Sequence, residues 1–366
     1  MKLIHCADLH LDSKMTSNLT KEKARERKAE LLNTFDRMLR YAVEHQVEAI
    51  IIAGDLFDTK NVSAAARNAV KNGMLDHPDI QFFYLRGNHD ADSFLSSLEE
   101  MPDNLKLFGE SWTSYEMDKG RIMVTGVELN PGNSTGIYSS LSLDRERFNI
   151  VVLHGQESEN APRKGGELLS LRRLKDRGID YLALGHVHSF KLEALDSRGS
   201  YCYPGCLEGR GFDECGEHGF VLLDIDTESG RFRSEFVPMA SRRLFTLEVD
   251  VTGCMNTAQI ADRIRLSLKA EPISEDSLLK LVLTGDVDVE CEKNIDFLVK
   301  KFEPEFYFLK IYDETGLKVD YTAFALDESL KGEFVRLVQA SEDLDPEVQA
   351  QVIRYGIRAL AGEELF

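Results

Sequence analysis

The stretch LRGNHDAD, residues 85–92, sets Asn88, His89 and Asp90 side by side directly after the apolar run IQFFY of residues 80–84. The run reads as a buried strand. Gly-Asn alone is ordinary turn chemistry, so the cluster acquires meaning only if other strands end in the same way. They do. KLIHCAD (2–8) leads into Asp8 and His10, and EAIIIAG (48–54) into Asp55 and Asp58. NIVVLHG (149–155) carries His154, and DYLALGH (180–186) carries His186, with His188 two residues on. Five of the nine histidines, at 10, 89, 154, 186 and 188, thus follow apolar strands in company with Asp or Asn. The other four lack that setting: His5 lies within the first strand, His45 and His77 at helix ends, and His218 in a turn.

Around these strands the first two-thirds of the chain alternates strand and helix. Residues 21–45 form a helix with Leu31, Phe35, Met38, Leu39 and Ala42 on one face. Further helices are expected at 62–76 and about 165–177, a strand at 121–129, and hairpin-like strands at 190–195, 219–226 and 231–237. Continuous apolar strands between helices indicate a sheet buried on both faces. In such folds ligands gather at the carboxyl ends of the strands. Near PMASRR (238–243) the pattern restarts: strands around 245–251, 278–283 and 305–312 alternate with two helices, and two more helices close the chain. The expected organisation is a first domain at 1–240, a small α/β domain at 241–322 and terminal helices at 323–366.

Composition narrows the class. Hydrophobic residues make up 43% and charged residues 29% of 366, a globular balance. The opening MKLIHCADLHLD has no apolar h-region, and no run approaches the ~20 apolar residues that cross a bilayer, so a cytoplasmic protein without a membrane partner is expected. Six cysteines without a CxxC pair fit a reduced compartment; CYPGC (202–206) with Cys215 is a weak zinc alternative. The net charge is −19, with 29 basic against 38 acidic residues up to 241 and 15 against 25 after it. That argues against a grip on nucleic acid through a general basic surface, but not against phosphate held through bound metal ions.

Oxygen donors mixed with imidazole suit Mn(II), Fe or Zn, and the lack of thiolates disfavours structural zinc. The donors suffice for two ions sharing a carboxylate. Such a pair, about 3.5–4 Å apart, clamps the attacking and leaving oxygens of an in-line displacement at phosphorus. Asp-x-His, Gly-Asp-x-x-Asp, Gly-Asn-His-Asp, His and Gly-His-x-His, in that order over residues 8–188, resemble the calcineurin-like metallophosphoesterases. The resemblance implies an α/β fold: a metallophosphoesterase β-sandwich flanked by helices, with a smaller C-terminal α/β capping domain and terminal helices. It implies that Asp8, His10, Asp55 and His188 bind a first metal, that Asp55 bridges, and that Asn88, His154 and His186 bind a second. His89 would be the acid facing the leaving oxygen, with Asp58 orienting it. No role follows for Asp90.

A narrower resemblance lies in IHCADLHLDS (4–13), AGDLFDT (53–59), GHVH (185–188) and YPGCLEGRGFDECGEHGF (203–220). Over about residues 1–240 these are similar to SbcD-type, YhaO-like DNA repair exonucleases. The segment after the last His pair has no metal role in that reading. Some members carry a second histidine where this chain has Asp58. The resemblance implies a DNA nuclease that uses two divalent ions, most simply Mn(II), and an SbcC-like coiled-coil ATPase docked on the final helices; a homodimer is a further expectation. A phosphodiesterase or phosphatase for a small phosphoester would share the same fold and chemistry, and a non-catalytic scaffold is a third class. Contacts to DNA are poorly marked. KEKARERK (21–28) is the densest basic stretch, equally readable as a solvated helix face, and Arg86, Arg163, Lys164 and Arg210 are loop candidates for binding substrate.

Overall fold

The computed structural model of the chain describes residues 1–366 except 16–18, 59–61, 91–94, 96–100, 159–167, 272, 342 and 361–366. Arg163 and Lys164 therefore lie outside the described residues. The chain divides into two compact units, Met1–Arg243 and Leu244–Phe366.

The first unit opens with β1 (Lys2–Cys6), α1 (Lys21–Glu44), β2 (Ala49–Ala53), α2 (Ala64–Leu75) and β3 (Gln81–Leu85). There follow β4 (Leu105–Leu107), β5 (Thr113–Met117), β6 (Ile122–Gly126), α3 (Ile137–Ser140) and β7 (Phe148–His154). A short pair, β8 (Gln156–Glu157) and β9 (Leu168–Leu169), precedes α4 (Leu171–Leu174) and β10 (Tyr181–Gly185). The unit ends with β11 (Lys191–Ala194), β12 (Ser200–Tyr203), β13 (Gly219–Asp226) and β14 (Arg231–Pro238). The helix expected at about 165–177 is a single turn among the described residues: Leu174 is its one buried side chain, and Gly178 at φ +88° turns the chain away.

These strands make two six-stranded sheets, in the orders β14-β13-β1-β2-β3-β4 and β11-β12-β10-β7-β6-β5. Each has a parallel centre, β1 to β4 in one and β12, β10, β7 and β6 in the other. Alternation along the strands sends neighbouring side chains to opposite faces. Ala49, Ile51 and Ala53 meet Ile150, Val152, Tyr181 and Ala183 in the layer between the sheets. Ile50 and Ile52 face the other way, onto Leu31, Phe35, Met38 and Leu39 of α1. Val151, Leu153, Leu182 and Leu184 pack outward on Tyr138, Leu169 and Leu174. Each large side chain buried completely contributes about 1.5–3 kcal/mol, so the helix-facing and inter-sheet layers lock the strand ends in place. Both long helices begin on side-chain caps: Thr20 accepts from the Lys23 N–H, and Ser63 from the Ala66 N–H. A cap of this kind is worth about 1 kcal/mol. Asp12 accepts from both the N–H and the Oγ of Ser63, tying the segment after β1 to the start of α2.

The basic stretch at 21–28 is the first turns of α1. It is not an even solvated face: Arg27 is buried against Glu30 and Glu208, and Lys28 pairs with Asp12.

In the second unit β15 (Leu244–Asp250), β16 (Leu278–Thr284) and β18 (Phe308–Asp313) form a parallel sheet, with α5 (Thr257–Ala270) and α6 (Ile295–Phe302) as crossovers. A second parallel pair joins β17 (Asp286–Asp288) to β19 (Gly316–Lys318). The final helices α7 (Tyr321–Phe324), α8 (Leu330–Gln339) and α9 (Pro346–Leu360) enclose their own cluster, in which Phe324, Val335, Val338, Ile353 and Ile357 meet Val289 and Leu317. Among the described residues no helix is long and apolar enough to cross a membrane.

Candidate metal centre

Parallel pairing brings the carboxyl ends of β1, β2, β3, β7 and β10 to one edge of the sandwich. Two glycines let the sheets approach there. A Cβ on Gly185 would sit 1.9 Å from the Ala53 carbonyl oxygen, and one on Gly54, at φ +96°, would sit 2.1 Å from His154 Nδ1. The backbone at these ends is unusual. Asp8, His10, Asp55 and His186 all have positive φ, at 51°, 44°, 51° and 98°. Such conformations cost non-glycine residues on the order of 1–3 kcal/mol and concentrate at functional sites. Here the cost is offset by cross-links: the Asp8 and His10 N–H groups donate to the Gly54 and Asp55 carbonyls, each at 3.0 Å.

All seven residues expected to bind metal converge. His10 Nε2 and His188 Nε2 face each other at 3.2 Å, and His10 Nε2 lies 3.8 Å from Asp55 Oδ2. His154 Nδ1 donates to the Ala53 carbonyl at 2.9 Å, which turns its Nε2 toward Asn88 Oδ1 at 3.1 Å and Asp55 Oδ2 at 3.4 Å. His186 Nδ1 lies 3.4 Å from the same Asn88 oxygen, and the His186 N–H donates to both Asp8 oxygens at 2.9 Å. Ligand atoms of Asp8, His10 and His188, and those of Asp8, Asp55 and His154, lie within 4.8 Å of one another. The zinc alternative has no such geometry: Cys202 and Cys206 are buried, Cys215 is exposed, and no cysteine joins a ligand cluster among the described residues.

The electrostatics fit a cation. Burial pushes the Asp8 carboxyl up to about 6, against the pull of His154 and His188. Burial would lower His154, but its bond to Asp55 and the charges of Asp8 and Asp55 carry it up to about 9. For Asp55 burial is again the largest influence and acts upward; His154 and the His89 N–H overcome it and hold the carboxyl below its usual range. Two buried carboxylates that draw a proton onto a neighbouring imidazole are asking for positive charge, and two imidazole nitrogens at 3.2 Å need a proton or a metal between them.

The remaining expected residues surround this centre. His89 is half exposed, its N–H donating to Asp55 Oδ1 at 2.9 Å, and its Nδ1 lies 3.7 Å from Asp58 Oδ1. That Asp58 oxygen also lies 3.1 Å from His10 Nδ1 and 3.1 Å from Arg210 Nη1, so Asp58 has nearer neighbours than the one expected for it. Arg210 also donates from Nη2 to Glu214 Oε1 at 2.9 Å. Arg86 is held by both oxygens of Glu128, at 2.8 and 2.6 Å. Of the arginines expected beside substrate, the two that lie among the described residues are thus engaged by carboxylates.

Two roles escaped the sequence reading, that of Asp90 and that of Glu214. Asp90 accepts from the N–H groups of Leu56 (3.2 Å), Phe57 (2.9 Å) and Gly87 (3.0 Å), joining the loop after β2 to the loop after β3. Burial pushes its carboxyl up to about 6 in spite of those donors. Glu214 accepts from His188 Nδ1 at 2.6 Å. Its only signal was the FDECGE segment, which carries no ligand itself but orients one.

Residues 1–190 match the calcineurin-like phosphoesterase family. The chain is 27% identical over 302 residues to the uncharacterized metallophosphoesterase YhaO of Bacillus subtilis, covering 78% of this chain and 72% of that protein. It is 25% identical over 396 aligned positions to the DNA double-strand break repair protein Mre11 of Saccharolobus solfataricus, covering 100% of this chain and 96% of that one. Among solved structures, TT1561 of Thermus thermophilus covers 64% of this chain and 98% of its own at 13% identity, with a TM-score of 0.41. With the family match spanning every strand end that supplies a ligand atom, the chain belongs to the calcineurin-like phosphoesterases.

Proposed function

We propose that the chain is a two-metal-dependent phosphodiesterase that hydrolyses DNA in repair, with Mn(II) as its ion. The observation that carries the reading is the convergence of Asp8, His10, Asp55, Asn88, His154, His186 and His188 at one edge of the sandwich. The choice of DNA leans on similarity to a protein named for double-strand break repair along the full length of this chain. Asp8, His10 and His188 would hold one ion, Asn88, His154 and His186 the other, and Asp55 both. Ions bound there supply Lewis acidity and an activated water. The protein's own part is to fix the ligands, as the backbone bonds at Asp8, His10 and His186 do, and to deliver a proton. His89, at the exposed rim, is the residue for that delivery; its Nδ1 side faces Asp58, which leaves the other edge of the ring for the leaving oxygen. Arg86 is a proposed contact to the substrate phosphate.

A partner belongs to the same proposal. Leu330 and Leu337, seven residues apart on α8, are 67% and 68% exposed, and Leu326, in the turn before α8, is 92% exposed. They are proposed to dock an SbcC-like ATPase by laying an apolar helix face into a groove. A small phosphoester as substrate remains the second reading, favoured by the charge of −19, which repels bulk nucleic acid. Digestion of end-labelled single- and double-stranded DNA with Mn(II), beside bis-p-nitrophenyl phosphate, tests the choice. Cleavage of DNA supports the proposal; intact DNA with rapid turnover of the small ester sinks it.

A further inference from the structure

The segment after β12 brings Arg210 and Glu214 against His188. From it we infer that Arg210 is a positioning residue that fixes the ring tautomers of two histidines at once, His10 through Asp58 and His188 through Glu214. The inference deepens the two-metal reading and rests on it for its consequence, not for its geometry.

His188 Nδ1 lies 2.6 Å from Glu214 Oε1. A lone pair at that nitrogen would face a carboxylate, so Nδ1 carries the proton and donates. Arg210 Nη2, 3.2 Å from the same nitrogen, is itself a donor and gives its hydrogen to Glu214 Oε1 at 2.9 Å. Nε2 of His188 is thereby turned toward His10 Nε2, 3.2 Å away. At His10 a carboxylate stands in the same place without an aligned hydrogen bond: Nδ1 lies 3.1 Å from Asp58 Oδ1. Arg210 spans the two carboxylates, with Nη1 on Asp58 at 3.1 Å and Nη2 on Glu214. Its own N–H donates to the second oxygen of Glu214 at 2.7 Å. Arg210 thus reaches Asp58 from 152 positions away in the chain. Only a planar fork of donors does this; an ammonium group is a point charge and cannot hold both carboxylates in fixed planes. Carboxylates behind metal-bound imidazoles commonly set tautomer and ring direction, and losing one costs about 10–100-fold in metal affinity.

The test uses the full chain labelled with [15N]histidine. Long-range 1H–15N spectra of the metal-free and Zn(II)-loaded protein read the tautomers, and calorimetry reads Mn(II) binding. In the wild type both His10 and His188 should be protonated at Nδ1. Arg210→Met and Arg210→Lys should each let both rings sample the other tautomer and weaken one Mn(II) ion by about 10–100-fold. Glu214→Ala should disturb His188 more than His10, and Glu214→Gln, which keeps an acceptor, should restore it. Retention of both tautomers in either folded Arg210 variant overturns the inference, as does a wild-type His10 or His188 protonated only at Nε2. Absence of Mn(II) binding by the wild type would instead remove the two-metal reading, while the tautomers of the metal-free protein still decide the part played by Arg210.

Discussion

Replacing Asp90 by alanine tests how the centre is held together, because Asp90 bonds to three backbone N–H groups and to the Tyr84 hydroxyl and to none of the expected ligand side chains. Its carboxylate satisfies three N–H groups, those of Leu56, Phe57 and Gly87, at 2.9–3.2 Å. Leu56 and Phe57 are 0% and 1% exposed, so water cannot readily replace the lost acceptor. An unsatisfied buried donor costs about 1–3 kcal/mol. Gly87 is half-buried and can turn to water, so the two full penalties dominate, about 2–6 kcal/mol together and about 4 at the middle of that range. For a unit the size of residues 1–243, each kcal/mol moves Tm by about 2–4 °C, and the melting transition should fall by roughly 10 °C. Because Asp55 and Asn88 sit on the two loops that Asp90 joins, Mn(II) affinity should fall with it. Calorimetric melting and Mn(II) titration of Asp90→Ala check both. Asp90→Asn, which sets an amide N–H2 against one of the donors, should recover part of each loss. A variant that melts within about 2 °C of the wild type and binds Mn(II) as tightly would show that the two loops are positioned without this link.

His89→Ala should keep its metals and lose DNA cleavage by about 10²–10⁴-fold, the usual worth of a general acid. It should lose much less on bis-p-nitrophenyl phosphate, whose leaving group needs no proton; equal losses, or loss of metal, would contradict the role. His5, buried beside Tyr181, is held by burial down to about 3, against 6.5 in an open chain. Its contribution is complete above pH 6.5 and declines below it as the unfolded chain takes up the proton, by about 2 kcal/mol at pH 5. His5→Gln should therefore flatten the acid side of the stability profile, and an unchanged slope from pH 7 to 5 would refute this. Charging the exposed leucines, Leu326→Asp with Leu330→Asp and Leu337→Asp, should abolish co-purification with an SbcC-like ATPase while leaving small-ester hydrolysis intact; intact co-purification would remove the docking proposal.

The strand ends were legible because each motif is local: an apolar run, then Asp, His or Asn within four residues. The face of α1 was legible for the same reason, its buried residues recurring at helical spacing. What periodicity cannot carry is pairing. β1 lies beside β13 through contacts such as Leu3 with Leu223, and nothing in either stretch names the other. The division of the strands into two sheets is likewise set by long-range packing, so alternating strands and helices indicated buried faces and not how many sheets supply them. Asp90 was opaque because three of its partners are backbone N–H groups, which leave no mark in a sequence. Arg210 and Glu214 were opaque as a pair because Asp58 and His188 reach them only in the folded chain. The single turn at Leu171–Leu174 replaces a longer expected helix because RRLKDRG offers no second apolar turn beyond Leu174.

The central claim is that these strand ends hold two ions sharing Asp55. Crystals grown with Mn(II) and measured near the manganese absorption edge decide it most directly. The account predicts two anomalous peaks about 3.5–4 Å apart, both within bonding distance of Asp55, one flanked by Asp8, His10 and His188 and the other by Asn88, His154 and His186. A single peak, or two peaks with Asp55 bound to neither, would contradict it.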